Sequence, residues 1–128
     1  MSITAARLRE LWGLEDRGVA LLSMTTEAQD GFIIEQLRLR IGGEEVRGIL
    51  TRPVVSEGRL PAILYGHSHG GGYSIGAREL LDGREYLVSP LGPVFAQAGY
   101  VTLCVDMPIF GERATVSESS AAKALLWH

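Results

Sequence analysis

The 128-residue chain is 46% hydrophobic and 21% charged, enough apolar content for one core and unlike a disordered tail. Its 12 basic and 15 acidic residues give a formal charge of −3 with no Lys/Arg face, which excludes the electrostatic footprint of a nucleic-acid binder. No run reaches the ~20 apolar residues that span a bilayer, and the N-terminus lacks the pattern of a signal peptide, so the expected location is cytoplasmic with no membrane partner.

Thr4 is followed by Leu8, Leu11 and Trp12 at helical spacing, which predicts a short amphipathic helix ending near Gly13. Residues 1–30 are read as an N-terminal helical segment and residues 31–128 as the N-terminal part of a single α/β domain. From Gly31 the period changes: Leu37, Leu39 and Ile41 alternate with Gln36, Arg38 and Arg40, the pattern of a strand with one buried face. Gly42-Gly43 supplies a hairpin turn, and residues 45–52 form the return strand, which Pro53 ends. Ala62 to Tyr65 is a short apolar run, as expected of a strand covered on both faces.

Ser89-Pro90 predicts a helix start, with Ser89 accepting from free N–H groups and Pro90 in the first helical position. Gly99 ends that helix, and residues 100–105 read as a second buried strand. Strand, crossover helix and strand over residues 61–105 make a parallel βαβ unit. A last helix is expected from Ala121 to Trp127. Cys104, the single cysteine, excludes an internal disulfide and a Cys-based zinc cage, and reads as a buried apolar residue.

The first parallel strand runs into Gly66-His67-Ser68-His69-Gly70-Gly71-Gly72. The first five residues spell Gly-x-Ser-x-Gly, but a nucleophile elbow needs a helix directly after it. Here three glycines and a long irregular stretch intervene, so Ser68 is not assigned as a nucleophile. Consecutive glycines instead let backbone N–H groups approach a substrate and stabilise the negative oxygen of a tetrahedral intermediate. Gly70 and Gly71 are the expected oxyanion donors, with His69 positioning the loop. His67 and Gly72 are candidate substrate contacts. So is Asp106, which leaves the carboxyl end of the second parallel strand, where open α/β sheets bind ligands. Its competing role is to hold the turn by accepting N–H groups.

Other chemistries fit less well. His67-x-His69 is sparse for a metal centre, with only Asp106 well placed as a further ligand, so no metal is expected. Gly70-x-Gly72 and Gly76 miss the dinucleotide spacing, and no Lys-Ser/Thr pair completes a phosphate loop. Glu112 and Arg113 read as a solvated pair, Ser117, Ser119 and Ser120 as loop and helix-start residues, and the terminal His128 as no catalytic base.

The segments from Leu60 to Gly72, Phe95 to Tyr100 and Val105 to Arg113 together resemble the N-terminal part of the dienelactone hydrolase-like and acetyl esterase-like branch of the α/β-hydrolases, over roughly residues 31–128. The resemblance implies a serine hydrolase acting on carboxylic esters or related acyl compounds, with residues 69–72 contributing to the oxyanion hole. It implies a small-molecule acyl substrate and no metal or organic cofactor. In such enzymes the triad follows in the order Ser, Asp or Glu, His. Those residues are expected beyond residue 128, so the 128 residues alone are expected to be inactive. The fold expected is α/β, an incomplete α/β-hydrolase sheet made of an N-terminal antiparallel hairpin followed by the βαβ unit. The alternative is a noncatalytic small-ligand-binding or assembly module that self-associates through an exposed sheet edge.

Overall fold

A computed structural model describes residues 4–11, 18–55 and 57–126. The chain runs through α1 (Ala5–Leu11), β1 (Val19–Gln29), β2 (Phe32–Ile41), β3 (Glu44–Pro53), β4 (Ala62–Tyr65), α2 (Glu79–Asp82), α3 (Leu91–Gln97), β5 (Val101–Val105) and α4 (Glu118–Leu126). Short 3-10 turns sit at Gly76–Arg78 and Gly111–Arg113. The five strands form one sheet in the order β1-β2-β3-β5-β4. β1, β2, β3 and β5 pair antiparallel in succession, and β4 lies parallel to β5. This is the open α/β sheet that the sequence predicts, an antiparallel hairpin leading into a βαβ unit. Among the described residues no helix is long and apolar enough to cross a membrane.

The β2–β3 hairpin follows from its turn. Gly42 and Gly43 both have positive φ, +60° and +91°, which lets a two-residue connection join strands paired from Ile41↔Glu44 to Phe32↔Pro53. Phe32 and Ile34 are buried on one face of β2, while Leu37 and Leu39, of opposite parity, are buried on the other. The first face carries the core, in which Ile34, Ile49 and Cys104 meet Ala77, Leu80 and Ala96. α3 lies across β3 and β5, and Thr51 on β3 donates to the Gly92 carbonyl at 3.2 Å. Burying side chains such as Ile49 and Leu80 stabilises the fold by roughly 2–3 kcal/mol each. The pKa of Cys104 is pushed up to about 12 by burial, so the thiol packs here as an apolar group.

Several expectations are corrected. Residues 19–29, read as part of a helical segment, form β1, an eleven-residue strand on the outer edge of the sheet. Only Ala5–Leu11 of that segment is described as helix, and Trp12 and Gly13 lie outside the described residues. β4 is not covered on both faces. It is the opposite edge strand, and only one of its faces packs on the core, through Tyr65, while the face of Ala62 and Leu64 is open, Leu64 being 77% exposed. Pro90 rather than Ser89 occupies the N-cap of α3, with no side-chain cap bond. α4 starts three residues early, at Glu118, because Ser117 Oγ accepts the Ser120 N–H at 3.2 Å and caps it there. Trp127 and His128 lie outside the described residues.

Candidate active site

The loop after β4 is built around Glu79, at the start of α2, which is 1% exposed. Its carboxylate accepts the Tyr65 hydroxyl at 2.6 Å, the Ser68 N–H at 3.1 Å and the Ser68 hydroxyl at 2.7 Å. Arg84 Nε donates to it at 2.7 Å, and Arg84 Nη2 reaches the carbonyls of Ser68 and His69 at 3.1 and 3.2 Å. Burial alone would raise the pKa of Glu79, but the hydrogen bonds from Arg84, Tyr65 and Ser68 outweigh it and bring it down to about 2. The phenol of Tyr65 shifts the other way, raised by burial and by the Glu79 carboxylate that accepts its proton.

This arrangement holds the glycine loop from behind. Gly70 and Gly71 follow with φ of +45° and +73°, a left-handed pair that side chains disfavour. Gly71 N–H donates to His69 Nδ1 at 3.3 Å, and Gly72 N–H to the His69 carbonyl at 3.1 Å. The Gly70 N–H has no partner among the described residues. A Cβ at Gly72 would collide with the Arg84 guanidinium, so this position serves close packing of the clamp.

The two histidines divide their work. His67 is buried, its Nε2 accepts the Met107 N–H at 3.1 Å, and its Nδ1 faces the Ser68 carbonyl at 3.3 Å. Acceptance at Nε2 assigns the ring proton to Nδ1. His67 therefore ties the β4 loop to the β5 loop, and both its nitrogens meet protein groups. His69 is 52% exposed. Its Nε2 lies 3.1 Å from the Tyr73 hydroxyl and 3.4 Å from Glu118 Oε2, and Tyr73 itself donates to Glu118 at 2.6 Å. Phe110 stacks on Tyr73 and meets both histidine rings edge-on, with centroids 5.1 to 5.4 Å apart.

Asp106 is completely buried. Its Oδ1 accepts the Ala77 N–H at 2.7 Å and Arg47 Nη2 at 3.0 Å, and its Oδ2 accepts the Glu112 N–H at 2.9 Å. Gly76 and Gly111 press against this carboxylate so closely that a Cβ at either would clash with it. Of the two roles weighed from sequence, the turn-holding one has this geometry, and the enclosed oxygens face no open cleft. Glu112 and Arg113 do not pair with each other. Glu112 bonds Arg38 through both carboxylate oxygens, and Arg113 bonds Glu44 at 2.5 Å.

Glu79 and Arg84 are the residues that sequence reasoning missed. The only hint is an acid placed between Ala77 and Leu80-Leu81, five residues before an arginine. Among the described residues no group of three His, Cys, Asp or Glu side chains is arranged to hold a metal ion.

A curated relative is similar to this chain: a Bacillus subtilis (strain 168) protein named "Putative hydrolase YtaP", 33% identical over 129 residues, a match covering 95% of this chain and 43% of the relative. The chain spans less than half the length of that relative. No family model and no solved structure matches the chain.

Proposed function

We propose that the chain carries the oxyanion-loop part of a serine hydrolase that cleaves carboxylic esters or related acyl compounds. The general hydrolase role is supported by the similarity to the YtaP protein, within the share of that relative which the chain spans. The finer reading is carried by one observation: a backbone N–H, that of Gly70, without a partner among the described residues, in a left-handed glycine pair at the carboxyl end of β4. A donor fixed there acts without reorganising when charge develops on the substrate oxygen. Gly71 N–H, whose bond to His69 is long, is the second donor. His69 positions the loop through its carbonyl, which accepts the Gly72 N–H, while Glu79, Arg84 and His67 fix it from behind. His67 and Asp106, with their polar atoms engaged by protein groups, act as positioning residues, and Gly72 gives room to Arg84. The serine, acid and histidine of the triad are supplied by residues that follow position 128, in a protein of the relative's length.

The test uses the full-length protein with 4-nitrophenyl acetate as substrate and a fluorophosphonate as serine probe. Turnover and a covalent adduct are expected, with Gly70→Ala, which keeps the N–H but disfavours the +45° φ that aims it, lowering kcat about 100-fold through misplacement of the donor and changing KM little. Absence of both turnover and adduct removes the reading.

A second reading, an assembly module, is favoured by the exposed β4 edge and by Leu64 on it. Sedimentation velocity decides it: concentration-dependent association without esterase activity supports assembly, and a monomer at all concentrations excludes it.

A further inference from the structure

Beside the glycine loop lies an open cleft of ≈ 540 Å³ whose lining includes Tyr73, Ile109, Val116, Ser117, Glu118 and Ser119. We infer that this cleft receives the part of the substrate remote from the reacting carbonyl, and that Glu118 makes it select a hydrogen-bond-donating group without negative charge. The cleft as a substrate subsite rests on the ester-hydrolase reading. Its charge selectivity is read separately, by binding.

The cleft adjoins the proposed oxyanion donors through a short chain of bonds. Gly71 N–H meets His69 Nδ1, and His69 Nε2 lies within 3.4 Å of both Tyr73 Oη and Glu118 Oε2. Gly70 itself lines a separate hollow with Arg84 and Tyr86, so it is a molecule whose carbonyl oxygen reaches Gly71 that can place its other end beside Tyr73 and Glu118.

The chemistry of the lining sets what that end can be. Both recorded bonds to Glu118 fall on Oε2, which leaves Oε1 without a partner among the described residues and open to accept. Hydrogen bonds from Tyr73 and then His69 lower the pKa of Glu118, so its carboxylate is negative through the neutral range. Ser117 and Ser119 add hydroxyls at the same end, Ile109 and Val116 give apolar walls, and no Lys or Arg lines the cleft. An alcohol or ammonium group finds an acceptor there. A carboxylate finds a like charge and no cation.

Ile109 strengthens the assignment. It holds φ +66°, the one non-glycine left-handed residue among those described, and it lines this cleft. A β-branched residue is rarely kept in that conformation unless its surroundings fix it. The surroundings are the Phe110–Tyr73 stack and the 3-10 turn at Gly111–Arg113.

The experiment titrates three size-matched amides into the 15N-labelled full-length protein and follows the backbone amide signals of Tyr73, Val116 and Glu118. The probes are N-acetylethanolamine, N-acetylethylenediamine and N-acetylglycine, which end in a hydroxyl, an ammonium and a carboxylate. The first two are expected to bind roughly tenfold more tightly than the third at low salt. Glu118→Gln is expected to erase that preference, and Tyr73→Phe, which keeps the charge, to retain it. N-acetylglycine binding as tightly as the others, no shift with any probe, or a preference that survives Glu118→Gln overturns the inference. Turnover of the corresponding acetate esters is scored separately. Selective binding without cleavage upholds the selectivity of Glu118 and removes the hydrolase reading.

Discussion

The Glu79 carboxylate accepts both the backbone N–H and the hydroxyl of Ser68, with Oε2 2.7 Å from Ser68 Oγ. The serine of the Gly-x-Ser-x-Gly run therefore turns its proton inward, to a buried anion, with the Tyr86 hydroxyl as the other neighbour of its oxygen. It joins the glycine loop to α2. The first prediction follows: treatment with a fluorophosphonate leaves the peptide containing Ser68 unmodified by mass spectrometry, and Ser68→Ala lowers unfolding free energy by about 1–3 kcal/mol in urea. An adduct on Ser68 would overturn this assignment.

Glu79→Gln is predicted to be far more damaging. Arg84, 8% exposed at its side chain, would lose its charge partner and remain buried. Breaking one side of such a pair costs about 3–5 kcal/mol. Chemical denaturation of the variant, with hydrogen exchange at residues 68–72, should show global destabilisation with the largest loss of protection in the glycine loop. Stability equal to the parent would mean that the Glu79 network contributes nothing.

The same carboxylate gives a pH dependence. Its folded pKa lies at about 2 against an ordinary 4.5, so its contribution is fully present above about 4.5 and is lost as pH falls through the folded value. The difference corresponds to roughly 3 kcal/mol. Urea midpoints measured from pH 6 down to pH 2 should fall across that window, and the fall should be shallower in Glu79→Gln. Parallel curves for the two proteins would assign the acid sensitivity elsewhere.

Gly76→Ala tests the packing around Asp106. The new methyl would meet Asp106 Oδ1 and the Gly111 backbone, at a residue whose φ is +54°. Neither neighbour is a flexible side-chain end, so a loss above about 3 kcal/mol is expected, as for other overpacked and strained sites. Thermal unfolding reads it, and a shift of less than 2 °C would show that the two loops yield easily.

The exposed edge at β4 predicts the behaviour of the 128-residue chain by itself. Leu64, together with the apolar residues exposed along β1, should bind ANS and promote association. Leu64→Lys is expected to reduce the average sedimenting mass at a given concentration. Cooperative unfolding with a flat ANS signal in the parent chain would contradict the idea.

How much of this was legible in the sequence differs by element. The β2–β3 hairpin was readable because Gly42-Gly43 dictates its turn and a two-residue period flanks it. β1 was not, and its register explains why. Leu21 pairs with Leu39 but Ser23 with Arg38, so Leu22 is an extra residue in a bulge. Val19 and Leu21 then share a face with Met24 and Thr26, and the alternation that announces a strand changes parity midway. The apolar run of β4 signals burial on both faces, yet only the Tyr65 face packs on the core and the Leu64 face is open. The site was half legible. The glycine loop and Asp106 announce themselves by residue type and position, but Glu79 lies in Arg-Glu-Leu-Leu-Asp, which reads as an ordinary helix surface. Its partners Tyr65, Ser68 and Arg84 come together only through the chain's path.

Asp106 joins three stretches of chain: β3 through Arg47, the turn after the glycine loop through Ala77, and the turn after β5 through Glu112. The loops leaving β4 and β5 consequently move as one wall, since neither can shift without pulling a buried carboxylate off its donors. Sequence change in either loop meets resistance from the other, whereas α4, anchored to that wall through Glu118, Tyr73 and His69 at its exposed rim, can be altered at little cost to the rest. Diversity in what the cleft accepts should therefore accumulate at the start of α4, leaving the glycine loop behind it unaltered.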